Sequence, residues 1–214
     1  MKFICGKNLK IVDKKSVFID KTVKIGDNVV IYENNRIEGT TEIGDNSVIM
    51  PNCYIKNCKI GKGTVFNYSQ AEDAEVGDNV SVGPFARLRP KAQVKNNAKI
   101  GNFVEIKNAV IGDGTKVSHL AYVGDATVGK NCNIGCGAIF VNYNGKAKNR
   151  TTVGDNCFIG SNCNIIAPVN IASDSYICAG TTITDDVKTD DFVIGRVRQQ
   201  TKENRAHEYL KGKE

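Results

Sequence analysis

The sequence has 214 residues, of which 41% are hydrophobic and 24% are charged, with a formal net charge of +6. This length accommodates one sizeable domain or two small ones. The basic residues are scattered along the chain, which argues against nucleic acid as a partner and favours anionic small molecules. The sequence contains no apolar run near the roughly 20 residues of a membrane span and no secretory signal, so we expect a cytoplasmic protein with reduced thiols.

Aliphatic residues recur at six-residue steps along most of the chain. A helix requires apolar spacing near 3.6 and a long strand requires spacing of 2, so a period of six favours short strands joined by corners. Turn-forming Gly, Asp and Asn residues often follow the aliphatic residue. The pattern therefore predicts an all-β protein, a parallel β-helix of hexapeptide repeats with about 18 residues and three strands in each coil, and roughly nine coils from Ile19 to Ile183. The first uninterrupted series comprises Ile19, Ile25, Ile31, Ile37, Ile43, Ile49 and Ile55.

In chain order, the pattern predicts an N-terminal lead-in over residues 1–18 and a β-helix domain over 19–195. A C-terminal tail follows over 196–214 and is expected to be helical in part around 203–210. The largest interruption of the repeat is a polar, basic loop at 141–152. Loops on rigid scaffolds commonly carry binding residues, although a tolerated surface insertion is the alternative interpretation.

The cysteines fit the repeat better than they fit a metal site. Four of the eight stand four residues after a repeat aliphatic, at a position that should face the core, and they are Cys53, Cys132, Cys157 and Cys163. A buried free cysteine packs as a small hydrophobic residue. The sequence contains no Cys-x-x-Cys pair, so we expect these four side chains to fill the core.

The chain has only two histidines, and they differ in context. His119 lies close to two interruptions of the repeat, whereas His207 lies in the charged tail. An unperturbed imidazole, with a pKa of about 6.5, can accept a proton at neutral pH. His119 is therefore the strongest candidate for a general base, and a hydrogen-bonded edge or interface histidine is the competing interpretation.

Four segments of the chain resemble a known family in the right order. They read GPFARLRP at 83–90, GNFVEIK at 101–107, HLAYVGDA at 119–126 and NYNG at 142–145. The sequence resembles the C-terminal domain of GlmU, the bifunctional glucosamine-1-phosphate N-acetyltransferase and UDP-N-acetylglucosamine pyrophosphorylase. The resemblance extends from about Ile11 to Lys202, without a pyrophosphorylase domain, and it implies a left-handed β-helix assembled as a homotrimer with active sites between neighbouring subunits.

The resemblance also implies substrates and residue roles. Acetyl-CoA would be the donor co-substrate and glucosamine 1-phosphate the acceptor, in a metal-free step toward UDP-N-acetylglucosamine and peptidoglycan synthesis. His119 would be the catalytic base, and Asn142 is expected to orient it. The acceptor would contact Arg89, Lys107, Tyr122, Asn133 and Lys148. The donor would contact Cys136, Asn142, Tyr143, Ser161, Ala179 and Arg196, with Cys136 standing where the family often has alanine.

The expected mechanism leaves rivals open. A backbone N–H near Gly135 or Cys136 would stabilise the oxyanion while His119 removes the amine proton, and a covalent acetyl intermediate on Cys136 is the rival route. Another amino sugar remains open as the acceptor, as does a non-catalytic trimeric scaffold for a separate nucleotidyltransferase. A zinc-dependent β-helix of the γ-carbonic anhydrase type would need three histidine ligands, and this chain has two.

Overall fold

The computed structural model describes residues 3–210, which form short strands wound into a solenoid and one short helix. The first ten strands are β1 (Ile4–Cys5), β2 (Lys10–Ile11), β3 (Phe18–Ile19), β4 (Lys24–Ile25), β5 (Val30–Ile31), β6 (Arg36–Glu38), β7 (Glu42–Ile43), β8 (Val48–Ile49), β9 (Tyr54–Lys56) and β10 (Lys59–Ile60). The next ten are β11 (Val65–Phe66), β12 (Gln70–Glu72), β13 (Glu75–Val76), β14 (Ser81–Val82), β15 (Arg87–Leu88), β16 (Gln93–Val94), β17 (Lys99–Asn102), β18 (Glu105–Lys107), β19 (Val110–Ile111) and β20 (Lys116–His119). The remainder are β21 (Tyr122–Gly124), β22 (Ala126–Val128), β23 (Asn133–Ile134), β24 (Ile139–Val141), β25 (Thr151–Val153), β26 (Phe158–Ile159), β27 (Asn164–Ile166), β28 (Asn170–Ile171), β29 (Tyr176–Ile177), β30 (Thr182–Ile183), β31 (Phe192–Val193) and the helix α1 (His207–Leu210).

Every third strand pairs with the next in parallel, so the chain builds three sheets at once. Sheet A contains β1 and every third strand to β28, sheet B runs from β2 to β29 and ends on β31, and sheet C runs from β3 to β30. Each coil therefore contributes one strand to each sheet, and residues on neighbouring coils stack in register. The predicted parallel β-helix of hexapeptide repeats is confirmed. The nine predicted coils are confirmed as well, because the ten strands of sheet C from β3 to β30 are separated by nine steps.

The interior is a column of aliphatic side chains that explains the six-residue period. Most strands turn one aliphatic residue inward, as in β5, where Val30 is half-buried and Ile31 is fully buried. In β11 and β24 the buried residue is Phe66 and Phe140, respectively. Burying such a side chain stabilises the fold by about 1.5–3 kcal/mol. The four predicted core cysteines are buried here, namely Cys53, Cys132, Cys157 and Cys163.

The corners between strands explain the frequent asparagines. Asn28 and Asn46 adopt φ angles of 56° and 59°, a left-handed conformation that asparagine tolerates better than most residues. The side-chain amide of Asn28 donates a hydrogen bond of 3.2 Å to Oδ1 of Asn46 on the next coil. Asparagine therefore relieves strain at the corner and links successive coils.

The boundaries differ from the predictions at both ends. The solenoid begins before residue 19, because Ile4 of β1 pairs with Lys24 and Lys10 of β2 pairs with Val30. The predicted helix around 203–210 is shorter, since α1 covers four residues. Residues 1–2 of the predicted lead-in and 211–214 of the predicted tail lie outside the described residues.

The extruded loop leaves the solenoid between β24 and β25, so residues 142–150 form it. Thr127 and Thr152 are register partners although 25 residues separate them, whereas Thr152 and its next partner Asn170 are 18 apart. The extra chain length is thus confined to one coil. No helix among the described residues is long and apolar enough to cross a membrane.

Candidate active site

Most of the predicted site residues lie at two corners of the solenoid, on either side of sheet C. We call the turn from sheet B into sheet C the His119 corner, and the turn from sheet C into sheet A the Lys107 corner. His119 ends β20 and Lys107 ends β18. The stretch of chain from Leu120 to Gly124 separates the two corners and spans at most roughly 13 Å, at about 3.3 Å per residue if it were fully extended.

His119 is oriented by an asparagine on the preceding coil. Asn102 is its register partner, and Oδ1 of Asn102 lies 2.5 Å from Nδ1 of His119. An amide oxygen only accepts hydrogen bonds, so this contact requires the proton on Nδ1. Nε2 then carries the free lone pair on an exposed side chain. In the single chain the orienting residue is therefore Asn102 rather than Asn142.

The glycine before Asn102 allows this close approach of two coils. A Cβ at Gly101 would lie 1.9 Å from the backbone oxygen of Ser118, which precedes His119. Real Cβ atoms do not come that close, so any other residue at this position would displace the backbone. Gly101 therefore sets the geometry of the hydrogen bond between Asn102 and His119.

Predicted donor-binding residues continue in register from His119 along the same corner. Because Lys116 pairs with Asn133, Asn133 with Phe158 and Phe158 with Tyr176, the residues three positions later also stack on successive coils. The resulting donor column comprises His119, Cys136, Ser161 and Ala179. Arg196 extends it, since its Nη1 donates a 2.8 Å hydrogen bond to the backbone oxygen of Ala179.

Cys136 is half-buried, and its backbone amide lies beside His119 in the donor column. The N–H groups of its neighbours Gly135 and Gly137 donate to the backbone oxygens of Ile159 and Leu120, at 2.8 and 3.1 Å. Within residues 3–210 the N–H of Cys136 has no such backbone acceptor. That N–H is available to a bound ligand next to His119.

The Lys107 corner is organised by Asp125, whose side chain is almost fully buried. Oδ1 of Asp125 accepts a 2.5 Å hydrogen bond from Nδ2 of Asn108, and Oδ2 accepts one from Nδ2 of Asn142. Nζ of Lys107 lies 3.9 Å from Oδ2. Burial works against the charge, but these hydrogen bonds and the nearby Lys107 and Lys148 hold the pKa of Asp125 below its ordinary value. The carboxylate therefore stays ionised at neutral pH.

The extruded loop has its own internal hydrogen bonds and brings Lys148 close to Lys107 at this corner. Tyr143 and Lys148 form an antiparallel bridge, and the Tyr143 hydroxyl donates a 2.8 Å hydrogen bond to the oxygen of Gly145. The side chain of Asn144 accepts hydrogen bonds from two backbone amides further along the loop, at 3.0 and 2.8 Å. The neighbouring Lys107 ammonium lowers the pKa of Lys148.

Arg150 fixes the end of the loop to the solenoid. Its Nη2 donates to the backbone oxygen of Ala126 at 2.8 Å and to Oγ1 of Thr127 at 2.9 Å. Its Nη1 donates to the backbone oxygen of Asn108 at 3.3 Å. Arg150 therefore ties the loop to two earlier coils.

Arg89 stands one coil before Lys107 at the same corner, where its N–H donates to the oxygen of Ile106 at 2.8 Å. Its guanidinium pairs with Glu105 at 2.7 Å, and this carboxylate raises the pKa of Arg89. The planar guanidinium of Arg89 next to the ammonium of Lys107 is an arrangement suited to binding a phosphate group.

Tyr122 links the loop to the strand that joins the corners. Its hydroxyl accepts a 3.3 Å hydrogen bond from Nδ2 of Asn142. A Cβ at Gly124 would lie 2.3 Å from that hydroxyl, so the ring rests directly on the glycine. Asn133 begins β23 in sheet B, so the single chain does not bring it together with Tyr122 and Lys107.

Four residues of the two corners were not predicted from the sequence: Asn102, Asp125, Asn108 and Arg150. The strand register carries the signal for the first two. Asn102 is 17 residues before His119, one coil away, and Asp125 occupies the corner created by the five-residue step from Val123 to Val128. Among the described residues there is no group of three or more His, Cys, Asp or Glu side chains that could hold a metal ion.

Comparison with known proteins agrees with this architecture. Residues 70–143 match a family model described as the GMPPB C-terminal domain, and residues 150–185 match the hexapeptide repeat of succinyl-transferase. The chain is 48% identical over 205 residues to the bifunctional protein GlmU of Geobacillus sp. (strain WCH70) and 51% identical over 193 residues to that of Clostridioides difficile (strain 630). The chain is a homologue of GlmU. The resemblance predicted from the four motifs is thereby confirmed.

The GlmU alignments cover 94% and 90% of this chain but only 45% and 42% of those relatives. Two solved acyltransferases share the fold. The UDP-N-acetylglucosamine acyltransferase from Campylobacter jejuni superimposes with a TM-score of 0.57 at 18% identity, covering 87% of this chain and 71% of that one. The Arabidopsis UDP-N-acetylglucosamine acyltransferase gives 0.54 at 20% identity, covering 91% and 68%.

Proposed function

We propose that this protein transfers the acetyl group of acetyl-CoA to the amine of glucosamine 1-phosphate. The observation that carries the proposal is the donor column, because His119, Cys136, Ser161 and Ala179 stack at one corner and Arg196 extends the series. The similarity to GlmU over nine-tenths of the chain supports it. The product, N-acetylglucosamine 1-phosphate, would feed UDP-N-acetylglucosamine and peptidoglycan synthesis in the cytoplasm.

The chemistry needs a base and a donor of hydrogen bonds to the oxyanion. The amine nitrogen attacks the thioester carbonyl, Nε2 of His119 takes the amine proton, and the carbon–sulfur bond breaks to release CoA as its thiolate. A base placed in this way contributes about 10²–10⁴-fold in rate. The N–H of Cys136, on the coil after His119, is the group best placed to stabilise the oxyanion.

The Lys107 corner has the charge for a phosphorylated acceptor. Arg89, Lys107 and Lys148 lie there, and Glu105 and Asp125 offset two of these three positive charges. A dianionic sugar phosphate suits such a corner better than an unphosphorylated amino sugar does. This corner therefore favours glucosamine 1-phosphate over a neutral acceptor, and another phosphorylated amino sugar is the alternative.

Within one chain, the stretch from Leu120 to Gly124 separates the His119 corner from the Lys107 corner, which favours a site that takes the two corners from different subunits. We therefore infer that the working enzyme is a homotrimer in which the Lys107 corner of one subunit faces the His119 corner of its neighbour. Asn142 and Tyr143 would then approach the donor from the neighbouring subunit, which reconciles their position with their predicted role in acetyl-CoA binding.

A substrate panel tests the proposed reaction. Acetyl-CoA consumption is measured with glucosamine 1-phosphate, with unphosphorylated glucosamine and with other phosphorylated amino sugars. We expect glucosamine 1-phosphate to give the highest kcat/KM and His119→Ala to remove about 10²-fold or more of it. His207→Ala is the matched control, because this second histidine lies exposed in α1 and should leave the rate unchanged. No consumption with any acceptor would favour the scaffold alternative.

Mixed subunits test the shared site. His119→Ala and Lys107→Ala chains, each inactive alone, are expressed together with different affinity tags, and doubly tagged oligomers are isolated. A site built from two subunits regains activity in these oligomers, because some interfaces pair an intact His119 corner with an intact Lys107 corner. Mixtures that stay as inactive as the parents would place both residues in a site within one chain.

A further inference from the structure

Asp125 connects both ends of the extruded loop to the solenoid. Its side chain accepts the hydrogen bond from Asn142, the first residue of the loop. Its backbone oxygen accepts a 3.2 Å hydrogen bond from the N–H of Thr151, the first residue after the loop. One residue therefore holds the points where the chain leaves the solenoid and returns to it.

The same carboxylate also joins the loop to the preceding coil. Asn108 donates to Oδ1 at 2.5 Å, while Lys107 lies 3.9 Å from Oδ2. The side chain of Asp125 is only 9% exposed, so little water competes for these contacts. Hydrogen bonds to an ionised, shielded acceptor are stronger than those between neutral groups.

The corner conformation by itself does not explain this arrangement. Asp73 occupies the equivalent corner three coils earlier, with a φ of 46° against 48° for Asp125. It likewise accepts a hydrogen bond from an asparagine on the coil before, Asn57, at 3.0 Å. Asp73 is exposed, however, and has no contact with the loop. What distinguishes Asp125 is its burial and its contacts with Asn142 and Lys107.

We propose that Asp125 is a positioning residue that latches loop 142–150 to the Lys107 corner, fixing Asn142 and Lys107 relative to each other. This inference rests on the proposed acetyltransferase function for its catalytic consequence. Asp125 itself does not touch the reacting atoms. It sets where the loop presents Asn142 and Tyr143 to the donor and Lys148 to the acceptor phosphate.

The test compares Asp125→Asn with Asp73→Asn in the full chain. Asparagine offers one accepting oxygen and no charge, so Asp125→Asn cannot accept from Asn108 and Asn142 on separate oxygens and loses its attraction to Lys107. Hydrogen–deuterium exchange is followed at the loop, where the N–H of Asn149 donates to the oxygen of Asn142 at 2.7 Å. We expect the loop amides of Asp125→Asn to exchange about tenfold faster or more, and those of Asp73→Asn to match the wild type.

Activity provides the second readout. In Asp125→Asn, kcat/KM for acetyl-CoA should fall about tenfold or more, and thermal unfolding checks that the variant is still folded at the assay temperature. Unchanged loop exchange in Asp125→Asn overturns the latch. Faster exchange in a protein whose wild type acetylates no amino sugar would support the latch and refute the proposed function, so the two failures are distinguishable.

A second variant covers the case in which Asp125→Asn does not fold. Asn142→Ala removes the loop side of the same contact and leaves Asp125, Asn108 and Lys107 in place. The latch predicts faster exchange at the loop amides in this variant too, with the amides around Asp73 unchanged. Loop exchange at the wild-type rate in Asn142→Ala would overturn the proposal.

Discussion

Replacing Asn102 by alanine tests how His119 is held. The substitution removes the oxygen that lies 2.5 Å from Nδ1 of His119 and introduces no new group. Without that acceptor the imidazole is free to rotate and to place its proton on either nitrogen. Nε2 would then present its lone pair to the amine for only part of the time.

The expected magnitude follows from the kind of contact that is lost. One hydrogen bond between neutral groups contributes about 0.5–1.5 kcal/mol. At about 1.4 kcal/mol for each factor of ten, Asn102→Ala should lower kcat by about two- to twelvefold. Loss of the base itself in His119→Ala should cost about 10²–10⁴-fold. The effect of Asn102 should therefore be clearly smaller than that of His119.

A double-mutant cycle measured by steady-state acetyl transfer separates orientation from general damage. If Asn102 acts only through His119, adding Asn102→Ala to the His119→Ala variant should cost nothing further. Gln93→Ala, a change to a half-buried polar residue of sheet A, serves as the control and should leave kcat unchanged. Equal losses from Asn102→Ala in the presence and absence of His119 would refute the orienting role.

Three further predictions concern the close packing, the thiol and acid stability. Gly101→Ala should destabilise the fold by about 1–3 kcal/mol, because the new Cβ meets the backbone oxygen of Ser118 at 1.9 Å. Gly145→Ala should cost about 1 kcal/mol, because its Cβ would have no atom within 4 Å but its φ is +89°. Thermal unfolding that ranks the two variants in the reverse order would contradict this. Cys136→Ala should keep most of the acetyltransferase activity, since the expected role of residue 136 is a backbone N–H, and complete loss would favour the covalent route. The pKa of Asp125 is lowered on folding, so the stabilisation from its carboxylate is present above the ordinary pKa of 3.8 and is lost as pH falls through the lowered pKa. The wild type should therefore lose more free energy of unfolding than Asp125→Asn between pH 5 and strongly acidic pH. Equal losses in the two proteins would contradict this.

The solenoid could be predicted from the sequence because each coil packs only on its neighbouring coils, so the repeat of the structure is also a repeat of the sequence. Most strands bury one aliphatic residue, so the spacing of these residues in the sequence reports the spacing of the strands. The six-residue aliphatic period is weaker in the first coil, where Ile4 is 65% exposed and Ile11 is only partly buried. The boundary at residue 19 was therefore too late, and β1 and β2 were missed.

The side-chain partners were less visible because they depend on the number of residues in each coil. Successive register partners are 17 residues apart for Asn102 and His119 but 25 apart for Thr127 and Thr152. A six-residue period does not reveal which of these offsets applies. In the sequence, only the family resemblance pointed to Cys136 as a donor-site residue, whereas the register places it directly after His119 in the donor column.

The identity of the product tests directly whether the protein acetylates glucosamine 1-phosphate. Purified protein is incubated with acetyl-CoA and glucosamine 1-phosphate, and the sugar phosphate is analysed by mass spectrometry and NMR beside an identical incubation with His119→Ala. We expect the wild type to add one acetyl group to the amine nitrogen, and we expect the product from His119→Ala to be lower by about 10²-fold or more. Unmodified sugar phosphate with the wild type, or equal product from the two proteins, would contradict this expectation.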